Sequence, residues 1–179
     1  VVAFGGNPGP KAITELWNGT NWTETTDMGT ARYYFGGYGG SSTSAVAAGG
    51  TAPPAHLATE EWLGAGQPIG AWSSVNAMNT ARRMGGGVGT TTAALAFAGY
   101  STVGLALTES YNGSNWTEVG DLNAARFEMG SAGTQTAALA IGGDPDTAAV
   151  EQWDNTSWTE ISDLNTARRN TGAGLVPAA

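Results

Sequence analysis

Four times along the chain a tryptophan is followed, ten residues later, by an arginine: Trp22 and Arg32, Trp72 and Arg82, Trp116 and Arg126, Trp158 and Arg168. The same phrase surrounds each pair, "ELWNGTNWTE" before "TAR" in the first copy and "ESYNGSNWTE" before "AAR" in the third. Aligning "VVAFGG" at Val1, "AVAAGG" at Ala45, "ALAFAG" at Ala94 and "ALAIGG" at Ala138 divides residues 1–179 into units of 44, 49, 44 and 42 residues. Self-similarity of this period belongs to repeat architectures, in which each unit is one supersecondary element that buries its apolar face on its neighbours. Glycine is abundant at 28 residues and charge is sparse at 12%, a composition that resembles disorder, yet seven regularly spaced tryptophans argue for a packed core.

Within each unit the pattern reads as four short strands. The first aligned strand ends in a Gly pair, or in Ala98-Gly99 in the third copy, and a variable loop follows. Next comes a strand carrying a Glu and an aromatic two residues apart: Glu15 and Trp17, Glu60 and Trp62, Glu109 and Tyr111, Glu151 and Trp153. A spacing of two puts both side chains on one face. "WNGTNW" and "YNGSNW" then carry the Asn-Gly signal of a two-residue hairpin turn, and the Trp strand returns. After the Arg a strand of small residues, such as "MGGGVGTTTA", leads into the next unit. No segment has helical periodicity. The expected fold is therefore all-β: a four-bladed β-propeller of four-stranded antiparallel blades, with a solenoid of stacked sheets as its structural rival.

The arithmetic of the seam favours a ring. Arg82 and Arg126 each lie 12 residues before the next strand start, at Ala94 and Ala138, and twelve residues beyond Arg168 falls one position past Ala179, where a ring would resume at Val1. The ring would open between two strands of one blade, with "RRNTGAGLVPA" pairing beside "VVAFGG" so that no sheet edge is left free. A slice of a longer array, or half of a ring built by two chains, is the counter-reading. The chain opens inside a strand-like run without a methionine, which reads as a mature product or a part of something longer.

These residues resemble the kelch repeat, whose pattern is an Arg, a strand ending Gly-Gly, a strand with an aromatic, and a Trp strand before the next Arg. The phrases "ELWNGTNWTE" and "LNTAR" are also similar to the tandem kelch-like repeats of marine phage proteins. The resemblance implies a propeller, and it implies a place in an extracellular or virion-surface assembly such as a tail fibre.

Residues that recur in every unit are expected to be structural. The eight aromatics, Trp17, Trp22, Trp62, Trp72, Tyr111, Trp116, Trp153 and Trp158, should pack blade against blade rather than form a sugar platform. Arg32, Arg82, Arg126 and Arg168, with Glu15, Glu60, Glu109 and Glu151, should form one ion pair per blade. What differs between units is expected to carry function, because variation maps to loops on a constant scaffold. The loops "NPGPKAI", "TAPPAHLA", "YSTVGLAL" and "DPDTAA" should share one end of the ring, with Asn7, Lys11, His56, Tyr100, Asp144 and Asp146 as candidate binding residues. The opposite end carries a longer connection, "LGAGQPIGA".

Other chemistry is excluded or weak. Without cysteine, and with His56 the single histidine, no transition-metal centre, disulfide framework or cysteine nucleophile is available. Asp144 and Asp146 around Pro145 make at most half a calcium site. No nucleophile elbow or catalytic triad is spelled out, so neither enzyme activity nor a cofactor is expected. Acidic side chains outnumber basic ones 15 to 7, which disfavours nucleic acid. No apolar run is long enough to cross a bilayer as a helix. The five Asn-x-Ser/Thr triplets, at Asn18, Asn21, Asn112, Asn115 and Asn155, fall where turn chemistry wants Asn. The reading is a non-catalytic module that presents loops to a protein or a glycan, with a lectin bearing repeated sugar pockets as the alternative. Its oligomeric state is open.

Overall fold

Short runs of Ala, Val and Leu that alternate with small polar residues, and are broken every five to eight residues by Gly, Asn or Asp, are too brief to nucleate helices but suit half-buried strands. The computed structural model describes residues 1–51, 54–64 and 70–173 and contains fifteen strands, with no helix among the described residues. They form four antiparallel sheets in chain order. The first holds β1 (Val2–Phe4), β2 (Thr14–Trp17) and β3 (Trp22–Glu24). The second holds β4 (Gly36–Ser41), β5 (Ser44–Ala48), β6 (Thr59–Leu63) and β7 (Ala71–Val75). The third runs β8 (Gly86–Thr90), β9 (Ala93–Tyr100), β10 (Gly104–Tyr111), β11 (Trp116–Val119). The fourth runs β12 (Gly130–Thr134), β13 (Ala137–Ile141), β14 (Val150–Trp153), β15 (Trp158–Glu160). Each sheet is a meander in which sequence neighbours pair.

The first sheet has three strands among the described residues. Of the strand expected beside β1 from the C-terminal "RRNTGAGLVPA", residues 174–178 lie outside the described residues, as do residues 65–69 of the long connection in the second unit. The tail is in place as far as residue 173. Asn170 N donates to Glu128 O at 2.7 Å and Thr171 Oγ1 to Ile141 O at 3.2 Å, which holds it against the fourth sheet.

Register places the aromatics opposite one another, Trp17 with Trp22, Trp62 with Trp72, Tyr111 with Trp116 and Trp153 with Trp158. The turns between them keep the two-residue span expected, since Asn18 N donates to Asn21 O at 3.2 Å around Gly19 and Thr20, but the return bond is replaced: Asn18 Oδ1 accepts from Thr20 N at 2.8 Å and Asn21 N at 2.9 Å. The Asn side chain closes the turn itself, and only Gly19, at φ 104°, takes a positive angle. Asn112 and Asp154 do the same in the third and fourth sheets.

The hydrophobic core lies between sheets rather than at one centre. Tyr38, Val46, Met78, Tyr111 and Trp116 fill the space between the second and third sheets, and Leu95, Phe97, Leu122, Trp153 and Trp158 that between the third and fourth. Phe4 meets Trp72 edge-on at 4.8 Å between the first and second. The glycine-rich strands β4, β8 and β12 stand side by side, with Ser131 Oγ accepting from Gly87 N at 3.3 Å and donating to Gly87 O at 3.1 Å. A Cβ on Gly87 would run into the Tyr38 ring, so this close approach requires glycine. The three strands and Ala173 line an open pocket of about 250 Å³. Burial pushes the Tyr38 hydroxyl up to about 12, so this wall stays uncharged at ordinary pH.

Candidate binding face

Each sheet junction is built by one constellation. At the second sheet, Arg32 donates to Gly49 O at 3.0 Å, to Ala58 O at 2.8 Å and to the Glu60 carboxylate. Arg82 repeats this with Ala98 O, Leu107 O and Glu109, the ion pair closing at 2.6 Å. Arg126 does so with Ala140 O, Ala149 O and Glu151, at 2.8 Å. The carboxylates are further held by backbone N–H groups, Gly29 and Thr30 on Glu60, Asn79 and Thr80 on Glu109, Asn123 on Glu151. All six charged side chains are buried. Burial lowers the pKa of Arg32 and Arg126, and the neighbouring Glu opposes that fall. The fourth set differs: Glu15 and Arg168 are both exposed and not joined to each other.

A second junction contact went unforeseen in the sequence. The indole of three of the four returning tryptophans donates to the Thr that precedes the Glu of the sheet before it: Trp72 Nε1 to Thr14 Oγ1 at 2.9 Å, Trp116 to Thr59 at 3.2 Å, Trp158 to Thr108 at 3.0 Å. The Thr is present in three units, and that recurrence was the available signal. Trp116 and Trp158 are buried, whereas Trp22 is 47% exposed.

The variable loops gather with the Arg-bearing connections. Lys11 bridges Arg32, Tyr33 bridges Thr51, Arg83 bridges Tyr100 and Phe127 bridges Asp144. Gly6, Gly50, Gly99 and Gly143 each donate N–H to the carbonyl of Arg32, Arg82, Arg126 and Arg168, at 2.8 to 2.9 Å. Of the candidate residues, Tyr100 lies under Arg83 (5.2 Å to the ring centre) and against Phe127 (5.0 Å). Asp144 and Asp146 converge on Arg169, whose pKa rises through its hydrogen bond to Asp144 and then the two carboxylate charges. Tyr100, Phe127, Asp144, Asp146 and Arg169 thus form one continuous strip. Asn7 and Lys11 belong to the first sheet's loop and His56 to the second's; Asn7 Oδ1 closes its own turn on Gly9 N at 2.7 Å.

This end also holds a cup that the sequence did not reveal. It measures about 320 Å³ and is lined by Tyr34, Met84, Gly85, Glu128, Met129, Asn170 and Thr171. Tyr34, Met84, Glu128 and Asn170 each stand two residues after a repeated Arg, and each has a positive φ, between 52° and 55°. Their backbones step from unit to unit, Met84 N to Tyr34 O at 2.9 Å, Glu128 N to Met84 O at 2.8 Å and Asn170 N to Glu128 O at 2.7 Å. Four unlike side chains are therefore held by one strained and repeated backbone device. Their signal was variability at a fixed offset from the Arg.

Away from this end, a groove of about 830 Å³ runs between the first and second sheets. Trp17, Asn18, Thr23, Thr25, Ser42 and Thr43 line it, and Glu24 is its only charged residue. Among the described residues no cluster of His, Asp and Glu could hold a metal ion. No described helix is long and apolar enough to cross a membrane.

An all-β protein of four tandem antiparallel sheets, with buried ion pairs at its junctions and unlike side chains at one end, is the class that fold and site define. No protein-family model matches the chain, and no curated protein matches it either.

Proposed function

We propose that the chain is a non-catalytic, kelch-like β-propeller module, closed as a ring of four blades, that docks a protein or a glycan on the end bearing its unlike loops. One observation carries the reading. Three of the four Arg and Glu pairs recurring from unit to unit are buried in sheet junctions, while the side chains that differ, Tyr34, Met84, Glu128 and Asn170 with the neighbouring loops, converge on one end. Closure is supported by the tail, whose Ala173 lines the same pocket as β4, β8 and β12. The phrasing shared with phage repeats supports a place in an extracellular or virion-surface assembly.

A lectin is the second reading, favoured by the groove between the first and second sheets. Its wall of hydroxyls beside Trp17 suits the stacking and hydrogen bonding of a neutral saccharide, although it occurs once rather than in every blade. Probing the full chain with a displayed peptide library and with a glycan array tests both. A peptide or protein ligand should be lost on Tyr34→Ala or Glu128→Ala and kept on Trp17→Ala. Saccharide binding abolished by Trp17→Ala alone moves the assignment to the lectin, and silence of both probes removes the docking reading.

A further inference from the structure

Three sheet junctions share an Arg–Glu ion pair and a bond from the same Arg to the carbonyl of Ala58, Leu107 or Ala149, and parts of a fourth set are already built on the two sheets at the ends of the chain. On the fourth sheet, Leu164 N donates to Ala148 O at 2.9 Å and Arg168 N to Thr147 O at 3.1 Å. This repeats Leu122 N to Ala106 O at 3.0 Å and Arg126 N to Leu105 O at 3.1 Å. Arg168 Nε donates to Thr166 O at 3.2 Å, as Arg32 Nε does to Thr30 O at 3.3 Å and Arg82 Nε to Thr80 O at 3.5 Å. On the first sheet, Gly5 N donates to Ile13 O at 3.0 Å, matching Gly49 N to Ala58 O at 3.1 Å. Gly5 O, Ile13 O and Glu15 therefore correspond to the Gly49 O, Ala58 O and Glu60 that grip Arg32.

Resting on the closed-ring reading, we propose that Glu15 receives Asn165 and Arg168 of its own chain, and that this seam is the junction at which the ring opens. The seam lacks one bond by sequence. Val150 stands where Thr14, Thr59 and Thr108 stand in the other units, so the Trp22 indole meets a methyl group in place of a hydroxyl. The occupant is the chain's own first sheet rather than a second copy, for two reasons. The opposite charges of Glu15 and Arg168 fall at matching repeat positions, and both segments of this chain already face β4: Ala173 shares a pocket with Gly37, Tyr38 and Gly39, and Val1, Val2 and Phe4 share another with the same three residues.

Thermal unfolding of the full chain tests this. Val150→Thr supplies the missing hydroxyl: with the seam formed, the melting temperature rises by about 2–4 °C. With the seam absent, the substitution buries an unpartnered hydroxyl and the melting temperature falls, which overturns the proposal. Glu15→Gln and Arg168→Met should each lower the melting temperature, and the double variant should fall no further than the worse single one. Additive or silent singles also overturn it. Sedimentation of the same samples separates the two levels. A monomer with a silent cycle discards the Glu15–Arg168 seam and keeps the ring, whereas a concentration-dependent mass discards the ring and the intrachain seam together.

Discussion

A guanidinium taken out of water is tolerated at Arg126 because two carbonyls and the Glu151 carboxylate accept from its two terminal nitrogens, leaving only Nε without a partner. Removing one partner leaves the other charge buried alone. Arg126→Met should destabilise the chain by about 3–5 kcal/mol, read as a lowered denaturation midpoint, and adding Glu151→Met should recover part of the loss. A second residue-level effect depends on pH. The backbone N–H groups of Ser157 and Thr156 hold the exposed Asp154 carboxyl below its ordinary range. A carboxyl depressed in the folded state contributes stability that is present above its unfolded pKa and is lost as pH falls through the folded one. Asn18 and Asn112 fill the same position without charge. Asp154→Asn should therefore leave the melting temperature at pH 7 nearly unchanged and flatten its decline below about pH 4; an unchanged slope would discount the turn. The Arg and Glu roles were legible because a residue repeated once per unit must meet a repeated environment. The left-handed backbone at Tyr34, Met84, Glu128 and Asn170 was not, since no Gly marks it and neighbouring units impose it. Ala98 is the converse: where the other units have Gly it takes φ 56°, beside 64° at Gly5 and 66° at Gly49.

Between elements, the sheets are joined by aromatic packing, by the Arg–Glu constellations and by the Trp–Thr bond. Trp116 Nε1 to Thr59 Oγ1 is wholly buried, so Thr59→Val keeps the shape and strands the indole donor. The expected cost is about 1–3 kcal/mol, measured by chemical denaturation. The corresponding change at Thr108 should cost the same, because Trp158 uses it in the same way. The strand order and the small-residue inner strands could be read from period and composition. The turn between paired aromatics could not be typed from its Asn-Gly signal, because the Asn side chain competes with the backbone for the turn donors. The groove beside Trp17 was likewise illegible, since it arises from spacing between two sheets rather than from a motif within either.

For the whole molecule, a count of four equivalent units was plain in the sequence, and four antiparallel sheets follow it. Which faces meet at the seam was less accessible, because a repeat states what each junction contains without stating whether the last unit meets the first. The absence of cysteine makes that question open to measurement, since each introduced thiol is unique. Thr20, Ser114 and Thr156 are exposed and occupy equivalent turn positions in the first, third and fourth sheets. Spin labels attached by Thr20→Cys, Ser114→Cys and Thr156→Cys, two at a time, report their separations by pulsed electron resonance. A four-bladed ring predicts that the 20–156 distance equals the 114–156 distance between neighbours and is shorter than the 20–114 distance across the axis. A 20–156 distance longer than both would contradict closure.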